Sequence, residues 1–116
     1  MTDTLIALLE TFGFPVMRQG SLPQDQAYPD TFFTFWGNDD DNSFYDNNTA
    51  SVVYQFSVNV YSSDPDTTYS TLDAARSLLK QNGWTIITRG YDVASDEITH
   101  IGRGMVVAFL QPQPNQ

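Results

Sequence analysis

The stretch from Ser51 to Tyr61 constrains the fold of this chain more than any other. It reads Ser-Val-Val-Tyr-Gln-Phe-Ser-Val-Asn-Val-Tyr, so apolar residues alternate with mostly polar ones. Strict alternation in β-branched and aromatic residues is typical of a strand with one buried face. At about 3.3 Å per residue the run spans roughly 35 Å, which is long for a small domain. We therefore predict a long central strand, which is long enough to extend past its own domain and pair with a neighbouring subunit.

The remaining periodic stretches predict two helices and four more strands. One helix covers 3–12; the other ends at Gly83 and begins either after Asp64 or later, after Ser70 or Thr71. The strands are predicted at 15–19, 31–36, 84–89 and 105–110, with Trp84, Ile86 and Thr88 on one face of the third of these. This order predicts an α+β fold, in which a mostly antiparallel sheet of about five strands carries two helices on one face. Residues 1–110 are expected to form a single domain, and 111–116 a flexible tail.

Composition excludes several classes of function. The chain has 116 residues and a net charge of −9, which argues against binding to nucleic-acid phosphates or to an anionic membrane surface. There is no cysteine, so disulfides and Cys-based zinc sites are excluded. No apolar run approaches the roughly 20 residues of a membrane helix, and the N-terminus lacks the basic start of a secretion signal. We expect synthesis in the cytosol, no membrane partner and no cofactor.

Negative charge is concentrated in the first half of the chain. Residues 1–58 carry eight acidic residues and one basic residue, whereas 59–116 carry six acidic and four basic residues. One interpretation is that solvated acidic loops happen to cluster early, and this is the favoured one, because runs of charge are usually solvated. The alternative is a two-faced molecule, whose acidic edge meets a basic edge on another copy.

Residues 37–48, which we call the acidic segment, are predicted to form a long loop between two antiparallel strands. Asp39, Asp40 and Asp41 suggest calcium, but Phe44 stands where an EF-hand loop needs glycine, so a solvated loop is the favoured interpretation. Loops of this length in small domains are usually functional or mobile. Phe44 and Tyr45 either fold back onto the sheet, which is favoured, or anchor a partner.

Residues 90–104 are predicted to form a second long connection, and they contain the only histidine, His100. One histidine cannot build a conventional metal site alone, although Asp92, Asp96 or Glu97 could join it. The usual catalytic signatures are absent from the sequence, so we expect no enzyme and interpret His100 as a polar residue that orders the connection. Arg103 is suited to bind these carboxylates bidentately, either within the chain or across subunits. Asp39, Asp40, Asp41, Phe44, Tyr45, Asp92, Asp96, Glu97 and Arg103 are therefore the candidate interface residues.

A series of short segments runs along most of the chain. These segments are Phe14-Pro15-Val16, Gln19-Gly20-Ser21, Tyr28-Pro29, Phe32-Phe33-Thr34-Phe35-Trp36, Tyr45-Asp46-Asn47, Tyr61-Ser62, Gly90-Tyr91-Asp92-Val93, Ser95-Asp96-Glu97 and Thr99-His100-Ile101-Gly102-Arg103-Gly104. Their order resembles one family of small proteins from phages and prophages of Gram-positive bacteria, the tail terminator (tail-completion, tail-to-head joining) proteins of siphovirus-type phages. The resemblance extends from about Phe12 to Leu110.

The resemblance implies an α+β fold like that of other tail terminators and a structural role at the head–tail junction of the virion. Such proteins cap the tail tube as a hexameric ring and present a joining surface to the head connector, while DNA passes through the lumen without specific binding. The ring need not form in isolation, and assembly would take place in the host cytoplasm. The alternatives are a head-closure or adaptor protein of the neck, a non-viral acidic protein-binding module, and a small hydrolase that uses His100 and the acids of 92–97.

Overall fold

A computed structural model describes residues 2–19, 29–37, 51–93 and 99–112. The elements, in chain order, are α1 (Thr2–Glu10), β1 (Val16–Arg18), β2 (Thr31–Gly37), β3 (Ser51–Ser62), α2 (Pro65–Gln81), β4 (Thr85–Val93) and β5 (Ile101–Pro112). The five strands form one sheet in the order β1-β2-β3-β5-β4. Only β1 and β2 run parallel; the other neighbours are antiparallel. The predicted α+β fold is confirmed, and β3 is central.

The alternation in β3 places one set of its side chains in the core. Phe56, Val58 and Val60 are at most 1% exposed. Through the strand register they lie beside Phe33 and Phe35 of β2. Both helices cover this same face of the sheet, which we call the helix face, with these buried residues: Leu5 and Leu9 from α1, and Leu72, Ala75 and Leu79 from α2. Burial of these apolar surfaces supplies most of the favourable free energy of such a fold. Neither described helix is long and apolar enough to cross a bilayer.

The helix boundaries follow from local capping chemistry. Asp64 is the N-cap of α2, and its side chain accepts a hydrogen bond from the Asp66 backbone N–H at 3.1 Å. Pro65 occupies the first helical position, which confirms the earlier of the two predicted starts. Gly13 and Gly83 follow the helices with φ of 84° and 90°, a left-handed conformation that glycine adopts without strain.

The prediction of a connection over 90–104 is wrong at both of its ends. β4 continues to Val93 and β5 already begins at Ile101. Glycines at 102 and 104, which usually interrupt strands, are needed here because side chains from neighbouring strands occupy the space above them. A Cβ at Gly102 would lie 2.7 Å from the Tyr61 ring, and one at Gly104 would lie 2.2 Å from the Asn59 Oδ1 atom.

Two further sequence predictions are wrong, one about the face that Thr88 occupies and one about the end of the last strand. Thr88 does not share a face with Ile86, because the β4–β5 register shifts between them and Thr88 pairs with Val106. A bulge of this kind turns a side chain to the opposite face of the strand. At the C-terminus, β5 runs to Pro112, which pairs with Ser51, so the first two residues of the predicted tail belong to the sheet. Residues 113–116 lie outside the described part of the chain.

Candidate subunit interface

Arg103 and Asp92 are brought together by the sheet itself. They are direct partners across β5 and β4, and the Arg103 Nη1 atom donates to the Asp92 Oδ1 atom at 2.9 Å. The Arg103 side chain is 23% exposed and that of Asp92 is 83% exposed. Of the two arrangements that the sequence left open for Arg103, the structure therefore shows pairing within the chain. An ion pair with so exposed a carboxylate contributes little to stability by itself.

Arg103 also connects the sheet to α2. Its guanidinium carbon lies 4.8 Å from the centroid of the Tyr69 ring, a cation–π geometry. Gly90 leaves the space for this side chain, since a Cβ there would lie 2.8 Å from the Arg103 Nη2 atom. Arg103 thus bridges β5, β4 and α2, and its charge is already engaged within the subunit. This arrangement makes Arg103 a weaker candidate for a contact with a second copy.

His100 joins the segment before β2 to the segment before β5. Its Nε2 atom lies 2.8 Å from the Pro29 carbonyl oxygen, and its Nδ1 atom lies 2.9 Å from the Thr99 hydroxyl. A carbonyl can only accept, so Nε2 carries the proton and a neutral ring accepts the Thr99 hydroxyl proton at Nδ1. The ring also lies 6.0 Å from Phe32, which stacks on Tyr61 at 5.2 Å. These contacts assign His100 a role in ordering its surroundings. Within the described ranges, no three His, Asp or Glu side chains group as a metal site would require.

A polar cluster lies on the opposite face of the sheet, which we call the outer face. Asn59 is 4% exposed, and its Nδ2 atom donates to the Gln19 Oε1 atom at 3.1 Å. The Thr34 hydroxyl donates to the same oxygen at 3.3 Å. The Asn59 Oδ1 atom has no hydrogen-bond partner in the described structure. Sequence reasoning predicted this face of β3 to be mostly polar, but not that Asn59 would be buried.

A groove between the C-terminal half of α2 and the start of β4 is the site that sequence reasoning missed. It encloses about 380 Å³ and is lined by Arg76, Lys80, Trp84, Thr85 and Ile86. We call it the basic groove, because it holds two cationic side chains of a strongly acidic chain. The signal was present in the sequence, since Arg76 and Lys80 are four residues apart and share a helix face, and Trp84 follows four residues later.

The two side chains that give the groove its charge differ in their contacts. An Arg76 Nη2 atom lies 3.0 Å from the Asp73 Oδ1 atom, and Asp73 is 66% exposed. Lys80 is exposed at the end of α2. Trp84 is only 4% exposed; its ring packs against Phe109, and its Nε1 donor has no acceptor in the part of the chain that the structure describes. The groove therefore combines positive charge with an apolar wall.

β3 and β5 extend together beyond their neighbours in the sheet. β2 pairs with β3 only as far as Phe56, and β4 pairs with β5 only as far as Ala108. Among the described residues, 51–54 of β3 therefore pair only with 109–112 of β5. We call these eight residues the ribbon. Leu110 in the ribbon is 56% exposed and Trp36 near its base is 58% exposed, so this end of the molecule presents two large apolar side chains to solvent.

Three features share that end of the sheet. Gly37, where the acidic segment begins, pairs with Phe56 of β3. Phe56 lies 6.1 Å from the Trp84 ring of the basic groove. Trp84 in turn packs on Phe109 at the start of the ribbon. Because β2 and β4 flank the β3–β5 pair on opposite sides, Gly37, at which the acidic segment begins, and the groove lie on opposite sides of that pair.

The other seven predicted interface residues belong to parts of the chain that the structure does not describe. These residues are Asp39, Asp40, Asp41, Phe44, Tyr45, Asp96 and Glu97.

A scan against protein-family models finds no match for this chain. A search of curated proteins likewise finds no relative.

Proposed function

We propose that this chain is a structural protein of the head–tail junction of a siphovirus-type phage or prophage, namely a tail terminator. The series of short segments from Phe12 to Leu110 supports this assignment by its resemblance to that family. The observed α+β fold agrees with the fold that the resemblance implies. In this role the protein caps the tail tube as a hexameric ring, presents a joining surface to the head connector, and carries out no catalysis.

The ribbon is the structural observation that carries the assembly role. It consists of the ends of two twelve-residue strands that run past the described residues of their neighbours. Strand edges outside a sheet are templates for pairing with another chain, and proteins that remain alone usually shorten or cover them. The described structure has extents of 51 × 28 × 22 Å, so it is elongated. A ribbon at one end of an elongated subunit suits an interface with a neighbour in a ring.

The distribution of charge also supports a ring through which DNA passes. A net charge of −9 per copy is multiplied around a ring, and an acidic wall repels DNA phosphates and so favours passage over binding. Closed rings require two different surfaces on each subunit. The acidic segment, which begins at Gly37 on the β2 side, and the basic groove on the β4 side are the proposed pair of surfaces. The proposed partners are therefore further copies of this chain, the tail tube protein and the head connector.

Capping of tail tubes tests the proposal directly. Tail tube protein from the same genome is polymerised with and without this chain, and tube lengths and ends are imaged by negative-stain electron microscopy. We expect shorter tubes with added density at one end. Tubes of unchanged length with bare ends would contradict a terminator, and binding to the head connector alone would favour the head-closure or adaptor role.

A matched pair of variants on β5 makes the test specific for the ribbon. Leu110 lies in the ribbon and is 56% exposed, whereas Ile101 lies at the far end of the same strand and is 40% exposed. Both side chains are exposed, so Leu110→Asp and Ile101→Asp are expected to fold. We expect Leu110→Asp to abolish capping and Ile101→Asp to retain it. Equal behaviour of the two variants would remove the ribbon from the interface.

A further inference from the structure

We propose that the basic groove binds the acidic segment of a second copy of this chain. The inference rests on the proposed function, because it names the two surfaces through which neighbouring subunits of the ring meet. Arg76 and Lys80 supply the positive charge of the groove. Asp39, Asp40, Asp41 and Asp46 supply four negative charges within the acidic segment. The chain contains no denser run of acidic residues, so the two surfaces are complementary in charge.

Two of the chain's other cationic side chains, Arg103 and Arg18, are engaged elsewhere in the subunit. Arg103 pairs with Asp92 and stacks on Tyr69. Arg18 lies 5.2 Å from the centroid of the Phe35 ring. Arg76 and Lys80 line a shared concave surface. Arg76 pairs there with the exposed Asp73, and a surface ion pair of this kind contributes little to stability, so a new partner could replace it at small cost.

The groove also suits the aromatic residues of the acidic segment. Trp84 and Ile86 give it an apolar wall beside the two cations. The acidic segment contains Phe44 and Tyr45 among its carboxylates. Aromatic residues that enter apolar pockets, with charged pairs at the rim, are a common arrangement in protein interfaces.

The topology favours a contact between copies that continues in one direction. The acidic segment begins at Gly37 on the β2 side of the β3–β5 pair, and the basic groove lies on the β4 side. Both are at the ribbon end of the sheet. If the acidic segment of each copy occupies the groove of the next, every subunit uses two different surfaces. Repetition of such a heterologous contact gives a closed ring or an open filament, and not a two-fold dimer.

A peptide with the sequence of residues 37–48 tests the groove independently of ring formation. Its binding to the purified full chain is followed by isothermal titration at low salt, with Trp fluorescence as a second signal. We expect saturable binding that weakens as salt rises. Arg76→Gln/Lys80→Gln should weaken binding at least tenfold, as should replacement of the three consecutive aspartates by asparagine in the peptide.

The matched control is Ala74→Glu/Ser77→Glu, which places two negative charges at exposed positions of α2 outside the groove. It changes the net charge by the same amount as the double glutamine variant. Because exposed charges outside the groove are screened by salt, its affinity for the peptide should stay within a factor of about three of the wild-type affinity. Absence of binding to the wild type, or equal losses in the two double variants, would overturn the proposal. The first of these results is also expected if each copy fills its own groove.

A charge exchange tests the same contact between whole subunits. Arg76→Glu/Lys80→Glu reverses the groove, and Asp39→Lys/Asp40→Lys/Asp41→Lys reverses the acidic segment. Each variant alone should not self-associate, whereas an equimolar mixture should form assemblies in which the two alternate. If the peptide binds but the chain forms no ring and caps no tubes, the groove contact is supported and the tail-terminator function is contradicted. A ring that both variants form unaided would contradict the groove contact alone.

Discussion

Replacement of Arg103 by alanine should destabilise the subunit, because the structure places this side chain in an internal bridge. The arginine pairs with Asp92 at 2.9 Å and lies 4.8 Å from the centroid of the Tyr69 ring. Its side chain is only 23% exposed, so its aliphatic stem also covers apolar surface. Three favourable contacts are therefore lost together when the side chain is truncated at Cβ.

The expected magnitude is modest. The ion pair contributes at most about 1 kcal/mol, because its carboxylate is largely in solvent. The contact with the half-exposed Tyr69 contributes about 0.5–1 kcal/mol. The buried Arg103 Nε donor, which has no hydrogen-bond partner in the described structure, offsets part of the gain. We expect Arg103→Ala to lower the free energy of unfolding by about 1–2 kcal/mol, which corresponds to a fall in Tm of about 4–8 °C.

Urea denaturation of single and double variants separates these contributions. Arg103→Ala combined with Tyr69→Ala should show a coupling energy of about 0.5–1 kcal/mol, and combined with Asp92→Ala a smaller, salt-sensitive one. Lys80→Ala, which removes one positive charge from an exposed site, is the control and should change stability by less than about 0.5 kcal/mol. If Arg103→Ala and Lys80→Ala had the same free energy of unfolding, and Arg103 showed no coupling to Tyr69 or Asp92, the internal bridge would be refuted. An interface role for Arg103 would then be favoured again.

Three further predictions concern the strand packing, a helix cap and the core, and urea denaturation measures each of them. Gly104→Ala should cost about 1–3 kcal/mol, because its methyl group would overlap the Asn59 Oδ1 atom, which lies 2.2 Å from the Cβ position. Asp64→Ala should cost about 1 kcal/mol, since it removes the N-cap acceptor of the Asp66 N–H. Leu79→Ala should cost about 2–5 kcal/mol, because this fully buried side chain would leave a cavity between α2 and the sheet.

Each of these variants has a neighbour that serves as its control. Ser57→Ala lies on the same outer face as Gly104 and should have a small effect. Asp73→Ala removes an exposed acid from α2 without affecting its cap. Leu78, the residue next to Leu79, is only partly buried, so Leu78→Ala should lower the free energy of unfolding by less than Leu79→Ala. A control as destabilised as its test variant would contradict the packing or capping argument in question.

The sequence predicted the fold well where local interactions, such as strand alternation or helix capping, determine the structure. The alternation in β3 fixed both its extent and its buried face, since a half-buried strand must alternate. Capping chemistry at Asp64 and Pro65 gave one of the two predicted starts of α2, and the structure shows that start. In both cases the deciding interactions are local in sequence. The same reasoning predicted the α+β arrangement, because helices with one apolar stripe must be covered by the sheet.

Long-range packing explains what the sequence alone could not predict. Gly102 and Gly104 indicated a connection, and only the side chains opposite them, Tyr61 and Asn59, explain why glycine is required within β5. Their positions depend on strand register, which no local pattern specifies here. Likewise Arg103 had several acidic partners in the sequence, and its choice of Asp92 follows from the pairing of β4 with β5. The basic groove could not be predicted for the same reason. Its existence depends on the distance between α2 and β4, which the spacing of residues in the sequence does not determine.

Native mass spectrometry over a range of concentrations, with negative-stain imaging of the same sample, tests the central claim most directly. The measurement is made on the chain alone and on the chain released from capped tail tubes. The proposed tail-terminator function predicts assemblies of six copies with a central hole in at least one of the two samples. A closed two-fold dimer in both samples, or a monomer that never occurs at tube ends, would contradict the ring and the tail-terminator function with it.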